Sequence, residues 1–397
     1  MPKSIQPNAL IIKQTVCYYL GLFALGLTTS AIGPAIPHLA DNTNSQLREI
    51  SSMLVLSSLG YLLGSLAGGR LIDRIKGHPV ITLGLVFLAI SFAFIPLSPT
   101  LTILAVLAFI MGMSQSYIDV GGNLMIVWAH GQNVGPYMNG LHLSFGIGTL
   151  ISPLILAASL RNSGSILWGF LIISALVIPA AVWLPRLSSP MIAQSKQESG
   201  KLASKWIPLF ILVMLFYFLY VGYEVGFGSW IYTYALEIGL GTEVTAAYLT
   251  SAFWAAFTLG RLIGIPAARR FSSGSLLITG VAVCAISPIL IWAFSTSSII
   301  LWVASCLFGL GMSTLFPTLL TLASQTMPLS GKQTSLFFAS ASAGGMFFPW
   351  LIGQMIDAQG PQLMIPIVFG LVLASALIVA GITTIIHRQA GVKPSTS

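Results

Sequence analysis

Twelve apolar stretches of roughly 20 residues, separated by short polar segments, are the feature that most limits how this chain can fold. A stretch of this length crosses the hydrocarbon core of a bilayer as a helix. With 56% hydrophobic and 7% charged residues among 397, the chain is too apolar for a water-soluble globular protein. We predict an all-α membrane protein with transmembrane helices near residues 15–39, 50–72, 79–96, 100–128, 137–160, 165–186, 206–236, 244–267, 274–295, 298–325, 334–357 and 362–387.

The least apolar stretch lies midway along the chain and divides it into two halves. We predict an N-terminal six-helix bundle over 1–188, a cytoplasmic linker over 189–204 and a C-terminal six-helix bundle over 205–397. Three sequence matches relate the halves: GGRLIDRI from Gly68 to LGRLIGIPAARR from Leu259, GMSQ from Gly112 to GMST from Gly311, and the Gly and Pro pattern ending at Pro153 to the one ending at Pro349. Such duplication is typical of transporters and predicts two pseudo-symmetric bundles that move about a site near the bilayer midplane.

The positive charge of the chain is explained by membrane orientation. Of the 17 Lys and Arg residues, all except Arg48 and Arg161 fall on the side of the two termini if both termini are cytoplasmic. This distribution argues against nucleic acid as a partner. We expect a multi-pass protein of the bacterial inner membrane, with both termini in the cytoplasm.

Two spans carry an acid where none is expected. Asp119 lies in the fourth span and Glu224 in the seventh. A carboxylate at this depth is costly and marks transport, proton relay or ion binding. Gln115, Asp119 and Asn123 are four residues apart and share one helix face, which must point to the interior and could bind sugar hydroxyls. The alternative is a hydrogen-bonded cluster that holds helices together.

Glu224 has a glycine-rich setting, with Gly222, Gly226 and Gly228, which predicts a broken or flexible helix that acts as a gate. We expect no Lys or Arg at the depth of either acid, so both acids are candidates for coupling a cation. Further candidates for substrate binding, which could instead serve packing or the interfacial belt, are Tyr223, Trp230, Trp254, Asn139 and His142.

Several motifs resemble those of one transporter family. Gly69, Asp73, Arg74 and Gly77 resemble the loop signature of the major facilitator superfamily, with an extra residue before Gly77. Within it, the stretch 220–237 is similar to the seventh helix of the fucose and proton symporters, and the stretch 311–323 to their tenth. The stretch 138–154 looks closer to the sodium-dependent glucose transporters of animals.

The resemblance implies the fold, a sugar substrate and a conformational latch. We assign the latch to loop residues that could instead serve orientation only: Gly69, Arg70, Asp73, Arg74 and Arg261. One position departs from the family, because Gly33 stands where the fucose symporters carry an acid in the first helix. Coupling would then depend on Asp119 and Glu224 alone, use another cation, or be absent.

These features predict a secondary active importer of a hexose or deoxyhexose, coupled to a proton or sodium and working as a monomer. A proton-coupled exporter of drugs or lipophilic metabolites, a sugar uniporter, and a non-transporting sensor or scramblase are the alternatives. The sequence has no phosphate-binding loop and no Cys and His spacing for a metal, so we expect neither an enzyme nor a cofactor.

Overall fold

A computed structural model describes residues 9–131, 134–190, 204–327 and 331–391. In this part of the chain, twelve helical segments are long and apolar enough to cross a membrane. Each one overlaps a predicted span, so the prediction of an all-α, twelve-span membrane protein is confirmed. Most of the linker predicted over 189–204 lies outside the described residues.

Within each half, the helices follow one another with short connections. The first half contains α1 (Ala9–Asn42), α2 (Leu47–Ile75), α3 (Gly77–Phe94), α4 (Leu101–His130), α5 (Val134–Ser163) and α6 (Leu167–Trp183). The second half contains α7 (Ile207–Glu237), α8 (Glu243–Arg270), α9 (Ser273–Ala293), α10 (Ser298–Met312), α11 (Leu315–Thr326), α12 (Gly331–Gln359) and α13 (Met364–Gly391). Helices α10 and α11 together form the tenth span, which is interrupted at Ser313 and Thr314.

Hydroxyl side chains fix the start of several spans. The side chains of Thr100, Ser272 and Ser297 each accept a hydrogen bond from a backbone N–H three residues later. These residues precede α4, α9 and α10, where the first N–H groups of a helix have no partner within the helix. The polar breaks between apolar runs therefore set where the helices begin.

The chain forms two compact units. One comprises Met1–Ser195 together with Thr242–Ser251, and the other comprises Lys196–Gly241 together with Ala252–Ser397. Within the first unit α1 packs on α5, α2 on α4 and α3 on α6. Within the second, α7 packs on α12 and α9 on α13. The equivalent helices of the two halves thus pair in the same way.

Close glycine contacts show this equivalence residue by residue. Gly148 on α5 lies against the carbonyl group of Phe23 on α1, and Gly344 on α12 lies against that of Phe218 on α7. A side chain at either glycine would overlap the neighbouring backbone. This contact confirms the predicted match between the Gly and Pro patterns that end at Pro153 and Pro349.

The other two sequence matches between the halves have the wrong register. Gly112 lies against the carbonyl group of Ser57, and it is Gly309, not Gly311, that lies against that of Phe253. Gly64 on α2 lies against Ser116 on α4, and Gly260 on α8 lies against Ser313 in the same way. Gly260 therefore corresponds to Gly64, and the next residue, Arg261, corresponds to Ser65 rather than to Arg70. The motif match was off by more than one helical turn because glycines recur every four residues along α2.

These glycine contacts predict a large difference between two Gly→Ala substitutions. At Gly112 on α4, a methyl group would overlap the backbone of Ser57 on α2, whereas at Gly370 on α13 it would meet open space. We expect Gly112→Ala to lower stability by about 2 kcal/mol through overpacking. Gly370→Ala should leave stability unchanged or raise it by up to about 1 kcal/mol, because Ala is the better helix former.

Thermal unfolding of the purified variants in detergent measures both effects. Equal melting temperatures for Gly112→Ala and the parent protein would contradict the close approach of α2 and α4.

Candidate functional site

The first unit places a carboxyl group between hydrogen-bond donors on two helices. Asp119 lies on α4 and is partly exposed. The hydroxyl group of Tyr61 on α2 donates to its Oδ2 atom. The side-chain amide of Asn123 donates to its Oδ1 atom at 2.8 Å and to its backbone carbonyl at 2.9 Å. Both carboxylate oxygens therefore accept a hydrogen bond from a neutral donor.

The neighbouring polar residue on the same face of α4 turns towards α1. Gln115 is 8% exposed, and its Nε2 atom donates to the hydroxyl oxygen of Thr28 at 3.1 Å. Thr28 in turn donates to the carbonyl groups of its own helix. The three residues predicted on one face of α4 thus lie there, but Asp119 and Asn123 form one cluster while Gln115 joins α4 to α1.

The second unit contains a different arrangement around Glu224 on α7. Tyr220, one turn earlier on α7, and the guanidinium group of Arg261 on α8 both interact electrostatically with the carboxyl group. Arg261 also lies over the ring of Phe257, with 4.3 Å from its central carbon to the ring centre. The expectation that no Arg or Lys reaches the depth of this acid is wrong.

Arg261 was expected in a cytoplasmic loop as part of the latch, and this predicted position is also wrong. It lies inside α8, within a membrane-length segment that continues to Ala268. The shifted register explains the error, since Arg261 occupies the level of Ser65. The other latch residues, Gly69, Arg70, Asp73 and Arg74, belong to α2, but their side chains lie outside the described part of the structure.

The seventh span, expected to be broken or flexible, has no break, whereas the tenth span has one. Helix α7 is continuous from Ile207 to Glu237. Its glycines serve packing: Gly222 lies against Phe348 and Gly228 against Trp254. The sequence signal was ambiguous because a glycine that admits a neighbouring ring looks the same as one that permits a bend.

The predicted aromatic residues are enclosed within the second unit. Tyr223 and Trp230 have no exposed surface, and the indole N–H of Trp230 donates to the carbonyl group of Pro349 at 2.8 Å. Trp254 is 5% exposed and packs edge-on against Phe253 and Phe257. These contacts are those of packing residues, so a ligand would reach these rings only after a rearrangement.

Two further candidates from the sequence lie in the first unit. Asn139 and His142 are on α5, and both side chains are exposed. The described contacts do not join them to the cluster around Asp119.

Two tyrosines in these clusters, Tyr61 and Tyr220, were not assigned to a site from the sequence. Tyr220 precedes Glu224 by four residues, a spacing that places two side chains on one helix face and could have revealed the pair. Tyr61 lies on another helix from Asp119, and only the packing of α2 on α4 brings them together.

Comparison with known proteins agrees with this architecture. The family model described as Major Facilitator Superfamily matches residues 18–349. Sodium-dependent glucose transporter 1 of Xenopus laevis is 28% identical over 393 residues, covering 92% of this chain and 79% of that protein. The Homo sapiens protein of the same name is 27% identical over 403 residues, covering 92% and 77%. Major facilitator superfamily domain-containing protein 4A of Danio rerio is 25% identical over 441 residues, covering 88% and 83%.

Solved structures share the fold at low sequence identity. The xylose transporter XylE from E. coli superposes with a TM-score of 0.75 at 16% identity, covering 94% of this chain and 98% of that chain. The nucleoside transporter NupG superposes with a TM-score of 0.74 at 11% identity, covering 95% and 99%. The family model matches most of this chain, and the chain therefore belongs to the major facilitator superfamily of membrane transporters.

Proposed function

We propose that this protein imports a sugar, a hexose or deoxyhexose, by symport with a cation through alternating access. The observation that carries the proposal is the cluster in the first unit, where Asp119 lies in an apolar bundle between the neutral donors Tyr61 and Asn123. A membrane protein tolerates such a carboxylate where it binds a substrate or an ion. The relatives named sodium-dependent glucose transporters support the same substrate class.

The chemistry of the cluster suits a sugar. Each sugar hydroxyl both donates and accepts a hydrogen bond, and the carboxyl group of Asp119 and the amide of Asn123 offer both kinds of partner. Both side chains are partly exposed, so they can contact a ligand without unpacking the helices. Gln115, Tyr223, Trp230 and Trp254 are buried, and we propose that they shape the site rather than touch the sugar first.

The two acids differ in their suitability for binding the coupling cation. Glu224 already has a cationic neighbour in Arg261, whereas the contacts described for Asp119 are with neutral donors. A proton or sodium ion at Asp119 would supply the missing positive charge. We therefore propose Asp119 as the principal coupling acid, with Glu224 acting through its pair with Arg261. The position of Gly33, where the fucose symporters carry an acid, keeps uniport as the alternative outcome.

We further propose that the protein works as a monomer in a plasma membrane, with both termini in the cytoplasm. The distribution of Lys and Arg along the sequence supports this orientation. The bacterial inner membrane remains a prediction.

Uptake into proteoliposomes tests the function directly. Labelled hexoses and deoxyhexoses are offered with an inward proton gradient, an inward sodium gradient, or no gradient. We expect one sugar to accumulate above equilibrium with one of the two gradients and only to equilibrate without it. Equilibration under all three conditions would identify a uniporter. Entry of no sugar, together with gradient-driven extrusion of lipophilic dyes, would overturn the proposal in favour of an exporter.

A further inference from the structure

Two tryptophans buried in the second unit differ in their hydrogen bonding. The indole N–H of Trp230 on α7 donates to the carbonyl group of Pro349 at 2.8 Å. The indole nitrogen of Trp254 on α8 is also buried, but it has no hydrogen-bond partner among the described residues. An indole N–H can only donate, and the ring fixes its direction, whereas a hydroxyl group can rotate towards a nearby carbonyl. A buried donor of this kind lowers stability unless an acceptor reaches it.

Packing holds the ring of Trp254 in one orientation. Its centre lies 4.9 Å from that of Phe253 and 5.6 Å from that of Phe257, and both contacts are edge-on. Gly228 on α7 lies against the Cζ2 and Cε2 atoms of the indole, and a side chain at this glycine would overlap Cζ2. Since Cε2 is bonded to the indole nitrogen, the edge of the ring that carries the N–H lies beside α7 at the level of Gly228.

This level of α7 is one turn from Glu224. Gly228 follows Glu224 by four residues, so the two lie on the same face of the helix and about 6 Å apart along its axis. Glu224 is partly exposed, and the oxygens of a carboxylate accept hydrogen bonds. Neighbouring levels of the second unit thus offer an acceptor and an unpartnered donor. A sugar, whose hydroxyl groups each donate and accept, can bind both.

We propose that the indole N–H of Trp254 donates a hydrogen bond to an oxygen of the transported hexose, while Glu224 accepts one from the same or an adjacent hydroxyl group. This inference rests on the proposed function, because it names one contact of the sugar. The indole is enclosed in this structure, so the bond forms once movement of α7 or α8 has uncovered the N–H. Trp254 then determines specificity, since a sugar without the accepting oxygen leaves the N–H unpaired.

Replacing single indoles with an isostere tests the donor with little change in packing. The amino acid β-(3-benzothienyl)alanine has nearly the shape of Trp, but a sulfur atom replaces the indole N–H. It is incorporated through an amber codon in place of Trp254, Trp230 or Trp292. Trp292 on α9 is 78% exposed and serves as the control. Binding of D-glucose to the full-length protein in nanodiscs is measured by titration calorimetry, and melting temperatures are measured without sugar.

The melting temperatures report whether each N–H has a partner within the protein. At position 254 we expect an unchanged or higher melting temperature, because the N–H has no hydrogen bond to lose. At position 230 the isostere removes the hydrogen bond to Pro349, so the melting temperature should fall by about 2 °C. The isostere at position 292 should change neither the melting temperature nor the binding of D-glucose.

The affinities report whether the Trp254 N–H contacts the sugar. With the isostere at position 254, we expect D-glucose to bind about tenfold more weakly, the effect of one lost hydrogen bond. The 2-, 3-, 4- and 6-deoxy analogues of D-glucose identify the accepting oxygen. One of them should bind the parent protein about tenfold more weakly than D-glucose, and the variant at position 254 should no longer distinguish the two.

Several results would overturn the proposal. They are absence of D-glucose binding to the parent protein, equal affinity after replacement of Trp254, and a preference for D-glucose over every deoxy analogue that the replacement leaves unchanged. A lower melting temperature after replacement of Trp254 would also overturn it, because the N–H would then have a structural partner. Binding that depends on Trp254, without gradient-driven accumulation, would reject symport alone. Accumulation with unchanged affinity at position 254 would reject this contact alone.

Discussion

Replacing Asp119 with Asn is expected to abolish sugar accumulation while leaving passive equilibration in place. Asn has nearly the shape of Asp, so Tyr61 can still donate to its side-chain oxygen, but the variant has no negative charge to bind a cation. At a membrane potential of about 100 mV, one cation carried with each sugar supports roughly 50-fold accumulation, from 2.3 kcal/mol per charge. In the variant this ratio should fall to about one, as measured by labelled sugar in proteoliposomes.

A matched control is available in the same half of the chain. Asp41 lies near the end of α1 and is exposed, so Asp41→Asn removes an equal charge outside the cluster. It should retain the accumulation of the parent protein. If Asp119→Asn also accumulates sugar like the parent, Asp119 is not the coupling acid.

The second large effect is expected at the pair of Glu224 and Arg261. Arg261→Gln leaves the carboxylate without its cationic neighbour inside an apolar bundle. Breaking a fully buried pair costs several kcal/mol, and because Glu224 is partly exposed we expect about 2 kcal/mol here. The double variant Arg261→Gln with Glu224→Gln contains neither charge and should recover most of this loss. Thermal unfolding in nanodiscs measures Arg261→Gln, Glu224→Gln and the double variant.

Two exposed residues at the ends of the same helices serve as controls. Glu237 is the last residue of α7 and Arg270 the last of α8. Glu237→Gln and Arg270→Gln should each change stability by less than about 0.5 kcal/mol, as is usual for surface positions. A double variant at Glu224 and Arg261 as unstable as the sum of its two single variants would show that the two charges do not interact.

The positions of the spans could be predicted from the sequence, because membrane crossing depends on the length and polarity of a single segment. The cluster of Asp119 and Asn123 was also predictable, since both residues lie on one helix and four residues apart. For the same reason Tyr220 and Glu224 could have been paired before the structure was known.

Contacts between helices were not predictable in this way. Tyr61 hydrogen-bonds to Asp119, and Arg261 interacts electrostatically with Glu224, only because particular helices pack at particular levels. A repeat register that is wrong by more than one turn moves a side chain by more than about 5 Å along the helix axis, which is enough to change its partner. Similarly, the glycines of α7 and the interruption after Met312 are distinguished only by what packs against them.

The repeated glycine contacts also mean that each ionisable site has a counterpart without charge in the other half. At the levels set by Gly64 and Gly260, the counterpart of Tyr61 is Phe257, and the contact of Ser116 and Ser313 makes Phe316 the counterpart of Asp119. The counterpart of Arg261 is Ser65. The two halves thus share one backbone arrangement but carry their ionisable residues at different positions. The first copy keeps an acid held by neutral donors, and the second keeps a charge pair next to an interrupted helix.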